Sequence, residues 1–182
     1  MLGNNIGVGR SGATLANSGN GVEIAGNKNT VGGSVSGAGN VIANNSKNGV
    51  LVSAGSGDTI SRNSVFGNTV LGISLASGAN NNIVAPTLST ATLSGSTLTV
   101  KGTFTAPTAN VSYVLEFFAN VSGDAEGKIF LGFLTVTPTT TGTQYFTFTT
   151  TTSVTGTNPV ITSTLTDNTG DTSQFSPGVT VT

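Results

Sequence analysis

The chain has no cysteine, no histidine and no tryptophan. Without cysteine it can hold no disulfide framework and no thiolate metal site. Without histidine it lacks the side chain that most often acts as a general base near neutral pH, and with it any Ser-His-Asp arrangement. Charge is scarce too. Charged residues make up 7% of the 182 and the net charge is −1, against roughly a quarter in ordinary soluble domains. Such a chain projects no field that would gather nucleic acid or an anionic bilayer. No apolar run approaches the ~20 residues needed to span a membrane. Residues 2–6 also lack the basic and apolar stretches of a secretory signal. That leaves either export without such a signal or, the reading favoured here, a piece of a longer precursor.

What is present instead is glycine, asparagine, serine and threonine, distributed unevenly. Residues 1–85 hold 17 of the 26 Gly, 15 Asn, 4 Thr and one aromatic residue, Phe66. Residues 86–182 hold 28 Thr, 4 Asn and ten aromatics, and all 5 Pro fall there, beginning with Pro86. Two domains, 1–85 and 86–182, are expected. A mean hydropathy of +0.17 with so little charge argues against disorder in either.

The first segment repeats itself. Gly21-Val22-Glu23-Ile24, Gly49-Val50-Leu51-Val52 and Gly72-Ile73-Ser74-Leu75 align at spacings of 28 and 23 residues. Asn29-Thr30-Val31, Asp58-Thr59-Ile60 and Asn82-Ile83-Val84 follow them in turn, and Asn40-Val41-Ile42 and Asn63-Ser64-Val65 precede the second and third. Each unit reads as three short strands joined at Gly/Asn corners, one turn of a three-sided solenoid of about three coils stacked ~4.8 Å apart. Val22, Ile24, Val50, Val52, Ile73 and Leu75 would stack inward. The asparagines would serve the corners and bond from coil to coil.

The second segment alternates polar and apolar residues in short runs. Leu98, Val100 and Phe104 share one face. So do Val111, Tyr113, Leu115 and Phe117; Phe130, Leu134 and Val136; Phe146 and Phe148; and Ile161 and Leu165. With Leu88–Leu93 and Gly178–Thr182 this gives about seven strands, the pattern of an antiparallel immunoglobulin-like β-sandwich. The whole chain is therefore expected to be all-β.

Several motifs resemble the parallel β-helix repeats of large bacterial surface and secreted proteins. They are Gly3-Asn4-Asn5-Ile6-Gly7, residues 17–24, Asn29-Thr30-Val31-Gly32-Gly33 and residues 37–45. Leu98–Gly102, Leu115–Asn120, Glu126–Gly132 and Thr172–Ser176 are similar to the domain that often follows those repeats. The resemblance implies a right-handed coil, and an adhesive or structural role outside the cell.

The chemistry weighed against that role is thin. Glycoside hydrolysis needs two facing carboxylates, and the coil segment has only Glu23 and Asp58, expected on different faces. Gly7-Val8-Gly9-Arg10-Ser11-Gly12 spells a dinucleotide fingerprint, but no strand–turn–helix unit surrounds it, so it reads as a corner loop. No catalytic residue is assigned. The one metal candidate is Ca²⁺ on loop oxygens of Glu116, Asp124, Glu126, Asp167 and Asp171. Sugar binding would look to Tyr145, since Tyr113 belongs to the inward set. The first coil begins without any cap, so Asn4, Asn5, Ile6, Val22, Ile24 and Val31 are the expected assembly face, stacking on another copy or on upstream coils. The expectation is a non-catalytic extracellular structural module: a stalk, surface layer or fibre subunit. The alternatives are a glycan- or surface-ligand-binding module, or the non-catalytic tail of a polysaccharide-degrading enzyme.

Overall fold

The computed structural model describes residues 1–152, 154 and 159–182. It is all-β, with parallel and antiparallel sheets. In residues 1–85 the strands are β1 (Asn5–Ile6), β2 (Val22–Ala25), β3 (Thr30–Gly32), β4 (Val41–Ala43), β5 (Val50–Ala54), β6 (Thr59–Ser61), β7 (Ser64–Phe66) and β8 (Ile73–Leu75). With one another they pair in parallel, in the orders β1-β4-β7, β2-β5-β8 and β3-β6. The register puts Val22 beside Val50 and Val50 beside Ile73, and Ile24 beside Val52 and Val52 beside Leu75. Ile6, Ile42 and Val65 form a second aliphatic row, and Val31 and Ile60 a third. The three rows meet in one core in which Ile42, Val50 and Val52 are fully buried. Each such side chain contributes about 1.5–3 kcal/mol of burial. Residues at corresponding points of the repeated motifs thus lie side by side in parallel sheets.

One repeat does not form as read. Asn82-Ile83-Val84 adds no third strand to the β3-β6 sheet; a 3-10 turn over Ala79–Asn82 stands there. Asn80, Asn81 and Asn82 all take positive φ, which breaks strand geometry. Asn80, not Asn82, then occupies the position below Asp58, whose N–H it accepts at 3.1 Å.

Residues 86–182 carry β9 (Thr87–Ser94), β10 (Thr97–Ala106), β11 (Tyr113–Asn120), β12 (Ile129–Val136), β13 (Gly142–Thr151), β14 (Val160–Thr166) and β15 (Val179–Thr180). Two antiparallel sheets, β13-β10-β9 and β12-β11-β14-β15, enclose a second core of Leu98, Val100, Phe104, Tyr113, Leu115, Phe117, Phe146, Phe148, Ile161 and Leu165. Phe117 stacks on Phe148 at 4.1 Å. The buried Tyr113 hydroxyl donates to the Thr108 carbonyl at 3.0 Å, so its polar tip is satisfied. Thr97, Thr99, Thr103 and Thr105 of β10 lie beside Thr151, Thr149, Tyr145 and Thr143 of β13 on the solvent side. β-branched hydroxyl side chains suit such a face, and they keep it polar with almost no charge.

Phe130 departs from its expected place. The ladder between β11 and β12 shifts register at Phe117/Phe118, where Gly132 takes a φ of 148°. This bulge turns Phe130 to the other side of the sheet, and Leu131 packs on the core with Leu134 and Val136.

Candidate functional site

A parallel stack leaves one row of backbone N–H and C=O groups unpaired at each end. At the β6–β7 end, the second segment supplies partners for that row almost group by group. Val65 and Gly127 exchange both backbone hydrogen bonds at 2.9 Å. The Arg62 N–H donates to Glu116 Oε2 at 3.0 Å and the Ser61 hydroxyl to Oε1 at 2.7 Å. The Ile60 N–H donates to Thr172 Oγ1 at 3.0 Å, and the Gly57 N–H to Asp171 Oδ1. The Gly67 N–H reaches Asp124 Oδ2 at 3.1 Å. Asn68 donates its N–H to Glu126 Oε1 and its side-chain amide to Oε2, each at 2.7 Å. The loop Asp167–Ser173 thus lies against the edge of β6, which has β3 as its strand neighbour.

Apolar contacts lock the same surface. Phe175 packs against the first core and meets Phe118 edge-on at 5.4 Å. A Cβ on Gly72 would come 2.8 Å from its ring. Phe118 and Glu116 lie on the face of β11 turned away from the second core, so this strand is buried on both sides. The Arg62 guanidinium lies over Phe130 and Phe133, at 5.1 and 4.9 Å from their ring centres, and its Nε is 3.7 Å from Glu116 Oε1.

These contacts redistribute the residues expected to hold Ca²⁺. Among the described residues no three acidic side chains converge. Glu116, Asp124, Glu126 and Asp171 each accept an N–H from the coil segment, and Asp167 closes its own turn on the Thr169 N–H. The five carboxylates are spread along the joint as hydrogen-bond acceptors and do not form one cation site. Sequence reasoning missed the partners in the first segment, Ser61, Arg62 and Asn68. The signal available was Glu116 inside Leu115-Glu116-Phe117-Phe118, a carboxylate in a run apolar on both faces.

Burial raises the Glu116 carboxyl above its ordinary value, against the opposing pull of the Ser61 and Arg62 hydrogen bonds. Burial raises Glu126 to about 7; the Asn68 bonds oppose this and the nearby Asp124 charge adds to it. Between the ordinary value of 4.5 and about 7, folded Glu126 keeps a proton that the unfolded chain has released. Stability therefore falls as pH rises through that window and is regained as pH drops back toward 4.5. The midpoint of thermal unfolding is expected to rise on acidification from pH 7.5 to 5, with a shallower slope in Glu126→Gln. A wild-type midpoint that falls over this range would contradict the assignment.

The opposite end differs from expectation in detail. Asn4 and Asn5 are exposed, and Ile6 and Val22 half-buried, but Ile24 and Val31 are only 6% and 3% exposed. Their side chains point into the core, so they can offer a partner only backbone. Met1 already pairs over β3, its amine donating to the Thr30 carbonyl at 2.6 Å and its carbonyl accepting the Gly32 N–H at 2.9 Å. The open edge therefore consists of β1 and β2, which among the described residues have β4 and β5 as their strand neighbours. No protein-family model matches the chain, and no curated protein is significantly similar to it.

Proposed function

We propose that the chain is a non-catalytic extracellular structural module, a right-handed parallel β-helix closed at one end by an immunoglobulin-like β-sandwich, with the two domains meeting near Pro86. The carrying observation is the commitment of the sandwich carboxylates to the coil edge. A catalytic pair or a cation site needs acidic oxygens free to face a ligand, and here Glu116, Glu126 and Asp171 are occupied by donors from the coil segment. The sandwich acts as a terminator. This arrangement favours the end of a stalk over a head-to-tail fibre, because one of the two coil ends that a fibre would join is covered.

Incubation with a panel of acidic and neutral polysaccharides, followed by reducing-end and unsaturated-product assays, is expected to show no turnover. A thermal melt is expected to be unchanged within about 1 °C by excess Ca²⁺ or by chelator, since a ligand bound only by the native state would raise the midpoint. Turnover, or a Ca²⁺-dependent rise of several degrees, would overturn the reading. Glycan binding is the second reading. It rests on Tyr145, 84% exposed among the threonines of the β13 face, and predicts a glycan-array signal that Tyr145→Ala abolishes.

A further inference from the structure

The polar columns that run through the coil stack have a direction. Asn4 donates both its N–H and its side-chain amide to Asn40 Oδ1, at 2.9 and 3.0 Å. Asn40 does the same to Asn63 Oδ1, at 3.0 and 2.8 Å. In a second column Asn17 donates its amide to Asn45 Oδ1, Asn45 donates twice to Asn68 Oδ1, and Asn68 donates twice to Glu126. In a third, Asn29 donates twice to Asp58 Oδ1, and the Asp58 N–H donates to Asn80 Oδ1. These three columns send donors toward the sandwich, and the second ends on the Glu126 carboxyl, both of whose oxygens accept from Asn68. Asn20 and Asn27 run the other way, accepting from Asn48 and Ser56.

At the open edge the three columns end on oxygen. Asn4, Asn17 and Asn29 are exposed, whereas Asn40, Asn63, Asn45, Asn68, Asp58 and Asn80 are buried. No donor within the described residues reaches Oδ1 of Asn4, Asn17 or Asn29, although each of these oxygens occupies the position that is filled one coil further on. Asp58 shows what an acceptor-only group does in mid-column: its Oδ2 is buried with no partner. The edge thus calls for an N–H and a carboxamide above each of three points. A second copy cannot supply them from its own donor end, which the sandwich covers. Two copies meeting edge to edge would set oxygen against oxygen in all three columns.

We infer that this edge is the seat of one further coil of the same repeat, joined ahead of Met1 and presenting its donor side to Asn4, Asn17 and Asn29. This rests on the structural-module reading and names the partner that reading requires. The register is already set. Met1 bridges Thr30 and Gly32 opposite Val31, the place that Ile60 holds on the next coil. A copy of residues 39–59 placed directly before Met1 would bring its own Asn40 and Asn45 over Asn4 and Asn17, and its Asp58 backbone over Asn29.

The test compares the 182-residue chain, the chain with this added coil, and the added coil carrying Asn40→Asp and Asn45→Asp in the copy alone. Amide hydrogen exchange at β2 is expected to slow at least tenfold with the Asn-bearing coil and by less than threefold with the Asp-bearing one. Slow exchange in β10 and β11 serves as the check that every variant is folded. Equal protection by both coils, or by neither, would overturn the inference, as would concentration-dependent filaments of the unextended chain. Turnover or Ca²⁺ dependence would remove the structural reading without touching the exchange result, so the two failures are separable.

Discussion

Gly32→Ala is expected to cost about 4 kcal/mol or more, enough to take much of the 5–15 kcal/mol that stabilises a domain of this kind. Gly32 closes β3 at a φ of 83°, and a Cβ there would overlap the Ser61 carbonyl oxygen and sit 2.6 Å from Asn63 Oδ1. Neither neighbour can yield. The Ser61 carbonyl accepts the Gly33 N–H, and Asn63 Oδ1 accepts two bonds from Asn40. Gly12 provides the control, with a φ of 84° and nothing within 4 Å of its would-be Cβ. Gly12→Ala meets only the left-handed backbone penalty, about 1–2 kcal/mol. Urea unfolding followed by far-ultraviolet circular dichroism gives both values. Their difference measures how closely one coil backbone approaches the next, and equal costs would show that backbone conformation alone demands glycine.

The coil rows were legible because they depend on short-range order. Val22, Val50 and Ile73 occur at corresponding points of a motif, and parallel pairing of β2, β5 and β8 puts corresponding points side by side. The inward residues of β10, β11 and β13 were legible for the same reason, since alternation alone assigns them a face. The joint was not legible. Glu116 meets Arg62 across 54 residues, Glu126 meets Asn68 across 58, and Asp171 meets Gly57 across 114. No local pattern brings such groups together. The acids clustered in the loops of one segment, so they read as ligands for an ion. Each of Glu116, Asp124, Glu126 and Asp171 instead takes a backbone N–H at the edge of the other segment, and a backbone N–H leaves no mark in a sequence. Asn82-Ile83-Val84 misled in the opposite way: it carries strand-forming residues, but the run of left-handed asparagines ahead of it had already turned the chain.

The second large effect is expected at Asn68, which joins the two segments through one side chain. Asn68 accepts two bonds from Asn45, and donates to both Glu126 oxygens and to the Ile42 carbonyl. Asn68→Ala would strip the Asn45 N–H and amide of their acceptor and remove one of the two donors from a buried carboxylate. Each orphaned group costs roughly 1–3 kcal/mol, so a total of about 3–5 kcal/mol is expected. Glu126→Ala, which leaves the Asn68 N–H without an acceptor while the Asn68 amide keeps the Ile42 carbonyl, should cost less. In the double variant the two penalties overlap, because neither change then strands the other's partner. Urea titration of the four proteins is expected to give a double-variant cost below the sum of the singles by more than about 1 kcal/mol. Strict additivity would mean that Asn68 and Glu126 stabilise their own segments independently, and the sandwich would then merely sit beside the coils. Asn4→Ala supplies the boundary of the effect. It bears the same residue type in a parallel column, yet at the exposed edge its cost should stay within about 0.5 kcal/mol, as for other surface positions. The steep rise from Asn4 to Asn68 would show that the columns tighten toward the sandwich, the end where the coil edge is closed.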